Sequence, residues 1–220
     1  MNARDRILGR LRNAQTRPTT PAYPAGGTPT ASMISHLAQH PRGPLPPVPD
    51  DMVACFRERA LKLSSDVVET SSLAEVPTLL ARYLGKLNLP MHGVCWPSLA
   101  RLPWSAAGLE MQARAAKDSD WIGVTGAFCA IAETGTLMML SGPETPAAAS
   151  LLPETHVAVV DPRRIVATME DAWDLMRKEC GQPPRAVNFI SGPSRTADIE
   201  QTVTLGAHGP YRVLLILAPL

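Results

Sequence analysis

Two stretches in the C-terminal half carry residue types that can do chemistry. The first is T-G-A-F-C-A-I-A-E-T-G-T at 125–136. Its one carboxylate, Glu133, sits among small and apolar residues, a setting that suits a general acid or base, or a carboxylate nucleophile. Thr134 and Thr136 flank Gly135, where the missing Cβ permits close backbone approach to a ligand. Glu133 is the catalytic candidate, and Thr134, Gly135 and Thr136 are candidate binding residues. The structural alternative is that Glu133 caps a backbone segment or pairs with an arginine.

The second stretch, S-G-P-S-R-T-A-D at 191–198, stands between an expected strand and an expected helix. A helix N-terminus attracts anions through its free N–H groups and dipole. Ser191, Ser194 and Thr196 add hydroxyls, Gly192 allows close approach, and Arg195 can grip a carboxylate or phosphate in a fork. Ordinary capping by Ser194 or Thr196 is the competing reading, and the stretch is neither a Walker loop nor a G-x-G-x-x-G turn. His208, in the H-G-P turn at 208–210, joins the candidate binding residues, because histidine titrates near neutral pH. His156 lies beside a strand, where a lone histidine is more often structural. The two stretches are expected to form one site, with Glu133 facing Arg195.

No metal site is expected. Cys55, Cys95, Cys129 and Cys180 are far apart in sequence, with no C-x-x-C and no Cys/His cluster of zinc spacing. Iron–sulfur ligation also needs closely spaced cysteines. Buried reduced thiols in a cytoplasmic protein are the expectation.

The elements that must position these loops alternate. Asp50 can cap a helix carrying Met52, Val53, Phe56, Ala60 and Leu63, and a short strand follows at 66–69. Ser72-Leu-Ala-Glu75 has the form of a capping box opening a helix that runs to about Leu87. Strands are expected at 91–95, 121–124, 136–140, 157–160, 187–190 and 212–217. Asp161-Pro162 reads as a cap and first-turn proline for a helix with Ile165, Val166, Met169, Ala172, Trp173 and Met176 on one face, ended by Gly181. Another helix is expected from about Thr196 to Gly206. Strands separated by helices predict a mainly parallel α/β sheet with helices on both faces, and ligands in such sheets bind beyond the carboxyl ends of the strands.

Ahead of this domain, assigned to 51–220, residues 1–50 differ in kind. An amphipathic helix is expected at 3–15. Nine prolines between 16 and 50 then predict an extended N-terminal arm without a long helix or strand. The arm reads equally as a linker or as a strap across this subunit or a neighbour, anchored by Met33, Ile34 and Leu37, which leaves a homo-oligomer open. The arginine-rich start could suggest a mitochondrial presequence, but Asp5 and the scarcity of serine argue against it. With 220 residues, 45% hydrophobic, 19% charged and a net charge of +1, the chain has material for a real core. It offers no bulk electrostatic case for nucleic acid. No apolar run reaches the roughly 20 residues of a membrane span.

The motifs A-I-A-E-T-G-T at 130–136, S-L-L-P-E-T-H at 150–156, I-S-G-P-S-R-T-A-D-I-E at 190–200 and G-A-H-G-P at 206–210, in this order, resemble the lactate-utilisation protein C (LutC/YkgG) family, whose domain is the LUD domain. The start, R-D-R-I-L-G-R-L-R, is similar to that family's as well, whereas 16–50 matches nothing in it. The resemblance implies a fold similar to the NagB/RpiA/CoA transferase-like superfamily. It also implies a part in L-lactate oxidation to pyruvate, with two iron–sulfur partner proteins holding the redox centres. This chain would then be a non-redox subunit without a cofactor of its own, binding a small carboxylate or other anion, with Arg195 the candidate for the carboxylate. The alternatives are an independent transferase- or isomerase-like enzyme using Glu133, and a ligand-binding assembly module without chemistry.

Overall fold

A computed structural model describes residues 30–40, 42–45, 47, 50–196 and 204–220. The chain falls into two compact units, Met1–Gly43 and Pro44–Leu220. The helix expected at 3–15 and the first prolines of the arm lie outside the described residues. Within the first unit the arm is not wholly extended: helix α1 spans Ala31–Gln39. The interval from Thr30 to His40 is free of proline, long enough for about two and a half turns. Thr30 caps it by accepting from the Met33 N–H, and His40 ends it in the left-handed region. Met33, Ile34 and Leu37 are exposed on it.

In the second unit, α2 spans Met52–Lys62, capped by Asp51 rather than Asp50, with the carboxylate accepting from Ala54 N–H. Strand β1 is Asp66–Glu69 and α3 is Val76–Lys86. Between them Ser72 caps only a 3-10 turn, Leu73–Glu75. Glu75 accepts from the Thr70 hydroxyl instead of from the Ser72 N–H, so the expected reciprocal box is not formed. Strands β2 (His92–Cys95), β3 (Glu110–Ala113) and β4 (Ile122–Thr125) follow. Then come β5 (Cys129–Ile131), β6 (Thr136–Leu140), the short helix α4 (Ala148–Leu151) and β7 (Thr155–Val160). The chain closes with β8 (Ile165–Val166), α5 (Met169–Cys180), β9 (Val187–Ile190), β10 (Arg195–Thr196), β11 (Thr204–Leu205) and β12 (Arg212–Leu217).

Six strands form a wholly parallel sheet in the order β1-β12-β7-β4-β2-β3. The period-two alternation of β7 and β12 feeds two separate cores. On one face Val157, Val159, Leu214 and Ile216 pack with Val76, Leu80 and Leu84 of α3. On the other, Ala158, Val160, Leu215 and Leu217 pack with Phe56 and Ala60 of α2 and with Leu137 and Met139 of β6. Burying each large aliphatic here contributes about 1.5–3 kcal/mol. The mainly parallel α/β reading therefore holds, with a layer the sequence did not announce. Strands β8-β5-β6-β9 form a second, mixed sheet that shares the second face with α2 and carries α5 on its far side through Ala172 and Met176.

Two helix expectations are corrected. Asp161 caps only a 3-10 turn, Pro162–Arg164, and Ile165–Val166 pair with Ala130–Ile131 as strand. Helix α5 starts at Met169, where Thr168 and Asp171 make the reciprocal capping box, and Gly181 ends it as expected. Nor does a helix begin at Thr196: Arg195–Thr196 pair antiparallel with Thr204–Leu205, and 197–203 lie outside the described residues. Among the described residues no helix is long and apolar enough to cross a membrane.

Candidate functional site

Pairing of β6 with β9 decides where the two polar loops stand. The strands run antiparallel with Leu137 opposite Ile190, so the residue entering β6 meets the residue leaving β9. There the Thr136 and Ser191 hydroxyls share a 2.7 Å hydrogen bond, Thr136 buried and Ser191 exposed. The loops therefore do meet, but at the rim of the mixed sheet and not beyond the carboxyl ends of the parallel one.

Both loops rest on the C-terminal end of α2. Gly135 has φ +66 and packs so closely that a Cβ would lie 2.6 Å from the Ala60 nitrogen. Gly192 has φ +83, and a Cβ there would lie 2.3 Å from the Leu63 carbonyl oxygen. Only glycine combines that backbone conformation with that approach. Arg195 Nη2 donates to the same Leu63 carbonyl at 2.9 Å and to the Ser64 hydroxyl, placing a cation where a helix end exposes its carbonyls. The Cys55 thiol, one turn into α2, reaches the Ala132 carbonyl at 3.4 Å.

Glu133 and Arg195 are not paired with each other. The Glu133 carboxylate accepts from Met169 N–H at 2.8 Å, and its own N–H donates to the Ala167 carbonyl. It thus occupies the N-terminus of α5, where a negative charge meets unbonded N–H groups, while Arg195 serves the opposite kind of end on α2. Thr134 is exposed at the tip of the turn. Thr196 lies in strand β10 and not at a helix N-terminus.

The far end of the second loop joins a third motif. Ser194 N–H donates to the Pro210 carbonyl and its carbonyl accepts from Gly206 N–H, both at 2.9 Å. The S-G-P-S segment is therefore strung between the β6 rim and the G-A-H-G-P turn, in which His208 is exposed. His156 is buried in β7, 2.8 Å from the Thr125 hydroxyl, and burial pushes its imidazole down to about 4. It is a neutral core residue at physiological pH. Burial likewise pushes the Cys95 and Cys129 thiols up to about 11 and about 12, as packing residues rather than thiolates.

Spacing in the sequence did not single out a cavity of about 280 Å³ at the amino-terminal edge of the parallel sheet. Residues entering β4 (Asp118, Asp120, Trp121) and β7 (Leu152, Glu154) line it together with the G-A-H-G-P turn. Its signal was present in part, since S-L-L-P-E-T-H and G-A-H-G-P border it. Asp120 accepts from both Arg114 Nη atoms, at 2.7 and 2.8 Å, and this pair holds its carboxyl below the usual range. Among the described residues no group of three or more His, Cys, Asp or Glu is placed to hold a metal.

Comparison with known proteins adds an independent observation. The LUD domain family model matches residues 56–218. Lactate utilization protein C of Bacillus subtilis (strain 168) is 29% identical over 189 residues, covering 76% of this chain and 78% of that protein. The protein of the same name from Exiguobacterium sp. is 32% identical over 180 residues, with the same coverage. The crystal structure of a DUF162 family protein from Deinococcus radiodurans superposes with a TM-score of 0.58 at 26% identity, over 79% of this chain and 99% of that one.

Proposed function

Because the chain belongs to the lactate utilisation protein C family of LUD-domain proteins, we propose that it is the non-redox component of an L-lactate utilisation system. It works beside iron–sulfur proteins that carry the electrons from lactate as pyruvate forms. The observation that carries this reading is the family match across 56–218, within which the loops bearing the motifs converge on one helix end.

The chemistry on offer there is binding and shaping. Ser191 and Thr134 present hydroxyls at the surface. Arg195 spends one nitrogen, Nη2, on Leu63 and Ser64, which leaves three of its five N–H donors for a carboxylate. The guanidinium is held in place by the helix end beneath it, so less side-chain freedom is lost on binding. Glu133, engaged by Met169 N–H, stabilises the wall of this surface.

The test is growth. A strain that carries this chain and has its gene deleted should lose growth on L-lactate while keeping growth on pyruvate, and the full chain should restore it. Arg195→Gln should restore it poorly although the variant protein accumulates folded. Undiminished growth of the deletion strain on L-lactate would overturn the proposal.

A further inference from the structure

The cavity at the amino-terminal edge of the parallel sheet has a composition unlike that of the loop site. Among the described residues no basic side chain lines it, whereas three carboxylates do. Asp120 is saturated by Arg114 and by Lys117 N–H. Glu154 Oε1 accepts from Arg212 Nη1 at 2.6 Å, which leaves its second oxygen. Asp118 has no hydrogen-bond or ion-pair partner among the described residues. Apolar side chains stand open around these carboxylates: Trp121 is 47% exposed, Leu152 52% and Tyr211 44%, with the Arg212 guanidinium 4.8 Å over the Tyr211 ring. Gly206 joins Tyr211 to this rim, since a Cβ on Gly206 would lie 3.1 Å from the Tyr211 Cβ.

We propose that this cavity is a docking socket for a protein partner that inserts an arginine or lysine side chain flanked by apolar residues. Size, charge and rim each bear on the occupant. About 280 Å³ falls below the roughly 300–1,000 Å³ of pockets that enclose drug-sized ligands, and matches one long side chain entering from outside. The uncommitted Asp118 and the free Glu154 oxygen repel a small carboxylate and receive a cation. Exposed tryptophan and tyrosine around a polar socket are residue types enriched in protein interfaces and their hot spots, and a guanidinium over the Trp121 indole gains further from its ring electrons. The floor is built in advance, because Arg114 and Arg212 hold Asp120 and Glu154 in place before any partner arrives. This socket does not depend on the lactate reading.

The test uses the full chain, labelled with nitrogen-15, and follows the Trp121 indole N–H by NMR. The probes are acetyl-Leu-Arg-Leu-amide, its citrulline counterpart of equal shape without charge, agmatine, and L-lactate. The arginine peptide should shift the Trp121 signal saturably, about fivefold more tightly than the citrulline peptide, and more weakly as salt rises. Asp118→Asn, a change at an exposed and unpartnered carboxylate, should unfold at the unaltered temperature and lose most of that preference. Equal binding of the citrulline peptide, or no shift at Trp121, would overturn the socket. Agmatine binding as tightly as the arginine peptide would make it a small-molecule site instead, and a lactate response there would also overturn the proposal. None of these outcomes bears on growth on L-lactate, so the two readings fail separately.

Discussion

The hydrogen bond between Thr136 and Ser191 joins two loops that are distant in sequence, and its partners are unequally placed. Thr136 is 2% exposed, whereas Ser191 is open to solvent. Ser191→Ala strands the buried Thr136 hydroxyl, and an unsatisfied buried polar group costs about 1–3 kcal/mol. Thr136→Val removes the buried hydroxyl and keeps the β-branched shape suited to a strand. The exposed Ser191 hydroxyl then turns to water, so the loss is only that of one net hydrogen bond, about 0.5–1.5 kcal/mol. The double variant has no stranded group and should be more stable than Ser191→Ala alone, an inversion that no additive scheme produces. Urea unfolding is the assay, with each ΔG taken from midpoint shifts at constant slope. For a domain of this size, about 1 kcal/mol corresponds to roughly 2–4 °C in Tm. If the double variant loses the sum of the two singles to within about 0.5 kcal/mol, the hydroxyls do not bond and the loops are not joined there.

Three other outcomes are expected. His156 stays neutral in the folded protein down to about pH 4, whereas an unfolded histidine protonates from about 6.5. Its contribution to stability is complete above about pH 6.5, falls as pH drops toward 4 and amounts to about 3 kcal/mol. An NMR titration of its ring with a midpoint near 6.5 would refute this. Gly135→Ala adds a left-handed penalty of about 1–2 kcal/mol to a collision with the α2 backbone. Calorimetry should show Tm falling by well over 4 °C, and a smaller drop would refute the close packing. Glu133→Gln keeps the shape of a helix cap and loses its charge, a cost of about 0.3–1 kcal/mol. L-lactate oxidation should then fall no further than the amount of folded protein does, and a drop beyond that would assign Glu133 an acid–base part.

Strands with continuous apolar runs, such as 157–160 and 212–217, were legible because burial on both faces leaves no other composition. Strand β3, E-M-Q-A, was not, because as an edge strand it is mostly exposed. The onset of α5 was misread because Ile165 and Val166 fall at helical spacing from Met169. Their burial is nevertheless satisfied by pairing with β5, and the better signal was Thr168 with Asp171 three residues on. The loops were legible as polar, glycine-bearing segments. The contact between Thr136 and Ser191 was not, since it depends on pairing β6 with β9 across about fifty residues. The cavity, assembled from three segments entering three strands, has no local pattern to read.

The commitments of Glu133 and Arg195 alter what the loop site can be asked to do. Each was picked out as a charged residue in a polar loop, and each turns out to serve a helix end: Glu133 the N-terminus of α5, Arg195 the C-terminus of α2. The two roles differ in what they leave over. The half-buried Glu133 carboxylate accepts from the Met169 N–H beside the Thr168–Asp171 capping box, so drawing it into proton transfer would take that N–H's partner away. Arg195 is exposed and engages Leu63 and Ser64 through one nitrogen alone, so it can take an anion without letting go of the helix. Gly135, Gly192 and Arg195 all bear on residues 59–64, so both loops are fixed by one helix end without any direct contact between Glu133 and Arg195.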